Sequence, residues 1–83
     1  MAYEFKTRGV CAQGIQFEVE NDIVTHVKFI GGCSGNTQGV ARLAEGMSVD
    51  AVIAKLRGIH CGRKPTSCPD QLATALQEAK ENI

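Results

Sequence analysis

The chain has no excess of charge of either sign: nine Lys and Arg stand against nine Asp and Glu. Without a global positive field, phosphate-dominated binding of nucleic acid is not the expected role. Long apolar runs are also missing. No stretch approaches the roughly 18–20 residues that a bilayer crossing needs, and the opening MAYEFKTRGV lacks the apolar h-region of a secretory signal. A cytoplasmic protein with no membrane partner is therefore expected. Repeats, linkers and low-complexity tracts are absent, and 83 residues leave no room for separate cofactor and substrate lobes, so residues 1–83 are read as a single domain. At 43% hydrophobic and 22% charged, the composition is that of a chain that folds. Its four cysteines fall short of the roughly 8–10% that marks a secreted disulfide scaffold. In a reducing compartment such thiols are more often metal ligands or redox centres than bridges.

Hydrophobic periodicity divides the chain. Tyr3, Phe5 and Thr7 alternate with Glu4, Lys6 and Arg8, and Ile15, Phe17 and Val19 with Gln16, Glu18 and Glu20, the period-2 pattern of half-buried strands. Asn21-Asp22 tolerates the left-handed backbone of a type I′ hairpin turn. Ile23 to Ile30 then reads as a third strand with Thr25, Val27 and Phe29 inward and Val24, His26 and Lys28 outward. Three helical stripes come next. Val40, Leu43, Ala44 and Met47 form the first, ended near Gly46; Val49, Val52, Ile53 and Leu56 form the second, capped by Ser48 and ended by Gly58. Leu72, Ala75, Leu76 and Ala79 form the third, behind Ser67-Cys68-Pro69-Asp70, which has the form of a capping box with Pro in the first turn. The expected fold is α+β: a three-stranded antiparallel β-meander followed by three helices packed on one face, βββααα.

The cysteines fall between these elements. Cys11 lies between the first two strands, Cys33 between the third strand and the first helix, Cys61 after the second helix, and Cys68 at the start of the third. None is expected on an apolar stripe, and ligands and nucleophiles favour such loop and helix-start positions. The first turn of a helix favours thiolate at Cys68, and Lys55, Arg57, Arg63 and Lys64 favour it at Cys61. The long, unequal gaps between the cysteines are not those of paired CxxC knuckles, so the fold itself would have to gather them. His60 is a candidate nitrogen ligand, whereas His26 reads as a surface imidazole.

Other chemistries are thinly represented. The glycines around Cys33 and the basic window offer a weak anion or nucleotide site at Gly32, Ser34, Gly35, Arg63 and Lys64, without the Gly-Lys-Ser/Thr ending of a P-loop. No Ser-His-Asp ordering is recognisable.

Thr66-Ser67-Cys68-Pro69-Asp70 is also a literal family signature. Together with Gly-Gly-Cys-Ser-Gly-Asn at 31–36, it makes the chain resemble the TSCPD-domain family over most of its length. Such domains occur as small free-standing bacterial proteins and near the end of adenosylcobalamin-dependent ribonucleotide reductases, and the resemblance implies metal-binding cysteines. More distantly, the chain is similar to scaffold proteins of iron–sulfur cluster assembly. These share the βββααα order and three cysteine positions, the last preceded by His, echoed here by Ile59-His60-Cys61. Those scaffolds carry an Asp two residues after the first cysteine, where this chain has Gln13. Cys68 then either replaces that Asp as fourth ligand or is the third ligand, with Cys61 a bystander.

The leading expectation is an accessory domain, not an independent catalyst, in which Cys11, Cys33, Cys61 and Cys68 hold zinc or an iron–sulfur cluster. The first alternative is a redox or regulatory module of ribonucleotide reductase using Cys61 and Cys68, and the second is a nucleotide or anion binder. Expected partners are ribonucleotide reductase or iron–sulfur proteins, with self-association left open.

Overall fold

Alternating apolar residues pair first with their sequence neighbours, and this builds the sheet. In the structure, a computed structural model describing residues 2–7, 12–31, 34–59 and 66–81, strands β1 (Ala2–Lys6), β2 (Ala12–Glu20) and β3 (Ile23–Gly31) form an antiparallel sheet in that order. Phe5 and Phe29 flank Ile15, and Tyr3 lies opposite Phe17 with the rings stacked at 5.4 Å between centroids. Asn21 and Asp22 both adopt left-handed φ, 52° and 66°, as the hairpin turn requires.

One expectation about β3 is corrected. Val24 is fully buried rather than outward, and Thr25 is only half-buried. The cause is a β-bulge: Thr25 pairs with Glu18 and Lys28 with Gln16, so His26 and Val27 together oppose Phe17. His26 takes the left-handed φ of 54° that accommodates the extra residue. The inserted position resets the alternation, so Val24 faces inward before it and Val27 and Phe29 after it.

The helices then cover the sheet. Helix α1 (Ser34–Ala44) packs on β3, and the chain returns along the strand's edge after Gly46, whose φ is 80°. Val24 donates its amide to Met47 carbonyl, Gly46 donates to Val24 carbonyl, and the His26 amide donates to the Glu45 carboxylate at 2.9 Å. These bonds occupy backbone groups that an edge strand would otherwise present to another chain. Ser48 caps α2 (Val49–Leu56) by accepting from the Ala51 amide at 3.1 Å, as expected. Helix α3 (Cys68–Glu81) runs antiparallel to α2. Lys80 reaches Asp50 at one end, and at the other Asp70 accepts from the Gly58 amide.

Leu72 and Leu76 from α3, Val52 and Ile53 from α2, and Ile15, Phe17 and Val24 from the sheet share one apolar core. Leu43 does not join it. Expected on the inner stripe of α1, it is 78% exposed, while Ala44 joins the core and the half-buried Val40 of α1 and Met47 beyond it pack against the core. Among the described residues no helix is long and apolar enough to cross a membrane.

Candidate functional site

The strands alternate in direction, α1 returns along β3, and α3 runs antiparallel to α2. The hairpin at Asn21-Asp22, the Glu45–Ser48 turn and the C-terminal half of α3 lie together: the Val49 amide donates to Asp22 carbonyl, and Val19, Leu76 and Ala79 line one small cleft. From Ala79, α3 runs back roughly 17 Å to its first residue at 1.5 Å per residue, alongside the returning α2. Away from that hairpin, the start of β2 meets the end of β3 through Ala12 and Gly31, and the chain after α2 meets the start of α3 through Ile59 and Ser67. These are the elements that adjoin the four cysteines.

Cys11, Cys33, His60 and Cys61 lie outside the described residues, as do Gly32, Arg63 and Lys64; Ser34 and Gly35 are described only through the backbone that opens α1. Their described neighbours define the setting. Ala12, next to Cys11 in the chain, pairs with Gly31, two residues before Cys33. A second bulge falls at this point, since Ala12 and Gly14 pair with the consecutive residues Gly31 and Ile30. Bulges bend a strand and re-aim its neighbouring residues, and they concentrate beside functional sites. Gly31 leaves the sheet with φ of 76°, a conformation that suits glycine.

Cys68 is described: a free thiol, 7% exposed, at the first position of α3. Standing four residues before Leu72, it heads the buried face of the helix, which corrects the expectation that no cysteine would lie on an apolar stripe.

The family signature builds the connection around it. Ser67 is the N-cap of α3, its Oγ accepting from the Asp70 amide at 3.2 Å while its proton is donated to Ile59 carbonyl at 2.6 Å. The Asp70 carboxylate accepts from the Gly58 amide at 2.7 Å through Oδ1 and from the Thr66 hydroxyl through Oδ2. Gln71 Nε2 in turn donates to Thr66 Oγ1 at 3.0 Å. The capping-box form was legible in the sequence; the reach of Asp70 to α2 was not, because nothing local marks a partner twelve residues earlier.

The buried polar side chains among the described residues are Thr7, Thr37 and Ser67. Thr7, 8% exposed, donates its hydroxyl to Ala12 carbonyl across the β1–β2 connection. Ser67 bridges the α2–α3 connection, and Thr37, 5% exposed, lies in α1 beside a cleft that also touches Gly31 and Phe29. Sequence reading treated Thr7 only as an inward strand residue and did not single out Thr37. By contrast His26 stands on the outer sheet face as expected, its imidazole 75% exposed and its Nδ1 3.0 Å from Glu18. An apolar groove of about 320 Å3 between α1 and α2, lined by Leu43, Met47 and Leu56, involves none of the residues adjoining the cysteines.

Among the described residues no three His, Cys, Asp or Glu side chains gather as a metal site does. The donor set that the sequence offers is four thiols, of which Cys68 alone is described. In kind they suit a thiophilic centre, since soft thiolates favour zinc and iron–sulfur clusters over hard cations. The model of one protein family, the TSCPD domain, matches residues 1–80. No curated protein and no solved structure matches the chain.

Proposed function

The chain belongs to the TSCPD-domain family, and from that premise we propose that it is a small cytoplasmic metal-binding domain, accessory to a larger reaction. Its ligands are Cys11, Cys33, Cys61 and Cys68, with His60 available as a nitrogen donor, and its metal is zinc or an iron–sulfur cluster. Two contacts support this reading, and the proposal is that they flank one centre: Ala12 and Gly31, beside Cys11 and Cys33, pair across β2 and β3, and Ser67, beside Cys68, donates to the carbonyl of Ile59, just before His60-Cys61. Such a centre would draw on three separate connections, β1–β2, β3–α1 and α2–α3, and so tie sheet to helices. In a domain this small, with a total stability of roughly 4–12 kcal/mol at 0.05–0.15 kcal/mol per residue, metal binding would contribute a large share of the folding free energy.

A second reading, a dithiol module that serves ribonucleotide reductase, draws on the Ser67 to Ile59 hydrogen bond, which joins the chain just before His60-Cys61 to the residue before Cys68. Anaerobic purification, elemental analysis and a visible spectrum separate the two. Stoichiometric zinc or a coloured cluster supports the metal centre. A metal-free protein in which Cys61 and Cys68 oxidise reversibly to a disulfide supports the dithiol.

A further inference from the structure

We propose that Thr66, Ser67 and Asp70, three of the five signature residues, are positioning residues rather than ligands: they clamp the two ends of the connection that carries His60, Cys61, Arg63 and Lys64. The geometry points to this role. The Ser67 hydroxyl spends its one proton on Ile59 carbonyl and its lone pair on the Asp70 amide. Asp70 divides its two oxygens between the Gly58 amide on the far side and the Thr66 hydroxyl on the near side. Gly58 and Ile59 precede the connection, and Thr66 and Ser67 come after it, so four hydrogen bonds close its base. Gly58 itself takes φ of 85°, which turns the chain out of α2 toward the clamp.

These bonds set the span between the chain leading to Cys61 and the chain leading to Cys68 before any ligand binds. Holding donor-bearing segments near their bound geometry reduces the ordering cost of binding, and groups that orient first ligands typically change metal affinity about 10–100-fold when removed. Thr7, which closes the Cys11 connection through Ala12 carbonyl, repeats the device at a second donor.

The role in metal affinity rests on the metal-centre reading; the clamp itself does not. The test uses Co(II) alone as probe, titrated anaerobically into the full chain and followed by its thiolate charge-transfer absorption. Asp70→Asn keeps an acceptor for Gly58 but turns a donor toward the Thr66 hydroxyl, which already receives Gln71. The clamp predicts that Asp70→Asn and Ser67→Ala each weaken Co(II) binding about tenfold. In a Cys61→Ser background the same changes should have less than about a twofold effect, because the clamp acts through that cysteine. An equal loss in both backgrounds means general destabilisation and overturns the positioning role, as does no loss in either.

A parallel arm with metal-free protein keeps the two ideas apart. Trypsin cleavage after Arg63 should be about tenfold faster in Asp70→Asn than in the unsubstituted chain, since a loosened base opens the connection more often. If the unsubstituted protein binds no Co(II), the metal reading falls while faster cleavage still supports the clamp. Unchanged cleavage overturns the clamp whatever the metal result.

Discussion

Ala12 and Gly31 are partners across β2 and β3, and each stands within two residues of a cysteine, Cys11 on one side and Cys33 on the other. Two thiol-bearing connections separated by a whole hairpin thus adjoin the same rung of the sheet. The left-handed φ of Gly31, 76°, is the backbone feature that makes the exit from β3. Gly31→Ala forces a Cβ into that conformation and should cost about 1–2 kcal/mol of stability. Urea unfolding of the metal-free protein checks this, and an unchanged midpoint would show that the turn is not required.

The core is tested by contrasting two leucines of different helices. Leu72 is fully buried, whereas Leu43 is 78% exposed. Leu72→Ala should cost about 2–5 kcal/mol, enough to unfold much of a domain with so little margin. Leu43→Ala should change stability by less than about 0.5 kcal/mol. Denaturant titration of both variants reads the difference directly.

Much of the fold was legible in the sequence because it is written locally. Alternation marks β1 and β2, Asn21-Asp22 marks the hairpin, and Ser48 and Ser67 mark helix starts. The errors arose where a non-local contact overrode a local pattern. At His26 a bulge inserts a residue opposite Phe17 and brings Val24 inward, which strict alternation cannot register. On α1, helical periodicity put Leu43 on the inner stripe, yet the width of the contact with β3 is decided by the sheet. The cysteines were recognisable as a set, but the contacts beside them, Ala12 with Gly31 and Ile59 with Ser67, join residues that no local pattern pairs. The clamp at Asp70 was visible only as half of a capping motif.

Thr7 illustrates a buried hydroxyl with a specific task. Thr7→Val keeps the shape and the strand propensity but removes the hydroxyl donated to Ala12 carbonyl. Losing that hydrogen bond should cost about 0.5–1.5 kcal/mol. Thermal unfolding of the metal-free variant measures it, and amide exchange at the start of β2 should accelerate in step.

Lys80 and Asp50, 2.5 Å apart, pin the far ends of α2 and α3. The hydrogen bond and charge of Asp50 raise the Lys80 pKa above its ordinary 10.5. A raised folded-state pKa stabilises the fold while the ammonium is charged, so the contribution is fully present below the unfolded pKa and is lost as pH rises through the folded one. Both groups are exposed to solvent, so the effect is small and screened by salt. Melting temperatures of Lys80→Met and the unsubstituted chain should differ slightly at neutral pH, converge as pH rises through the raised Lys80 pKa, and converge in high salt.

The account rests above all on the cysteines acting together, and one measurement tests it most directly: metal content after anaerobic purification, set against the melting temperature of the unsubstituted chain and of Cys→Ser variants at 11, 33, 61 and 68. The prediction is stoichiometric zinc or an iron–sulfur chromophore, lost on removing the thiols, with a melting temperature that falls by several degrees as each ligand goes. A protein that carries no metal, and whose melting temperature is indifferent to Cys→Ser at Cys11, Cys33 and Cys61, would contradict it.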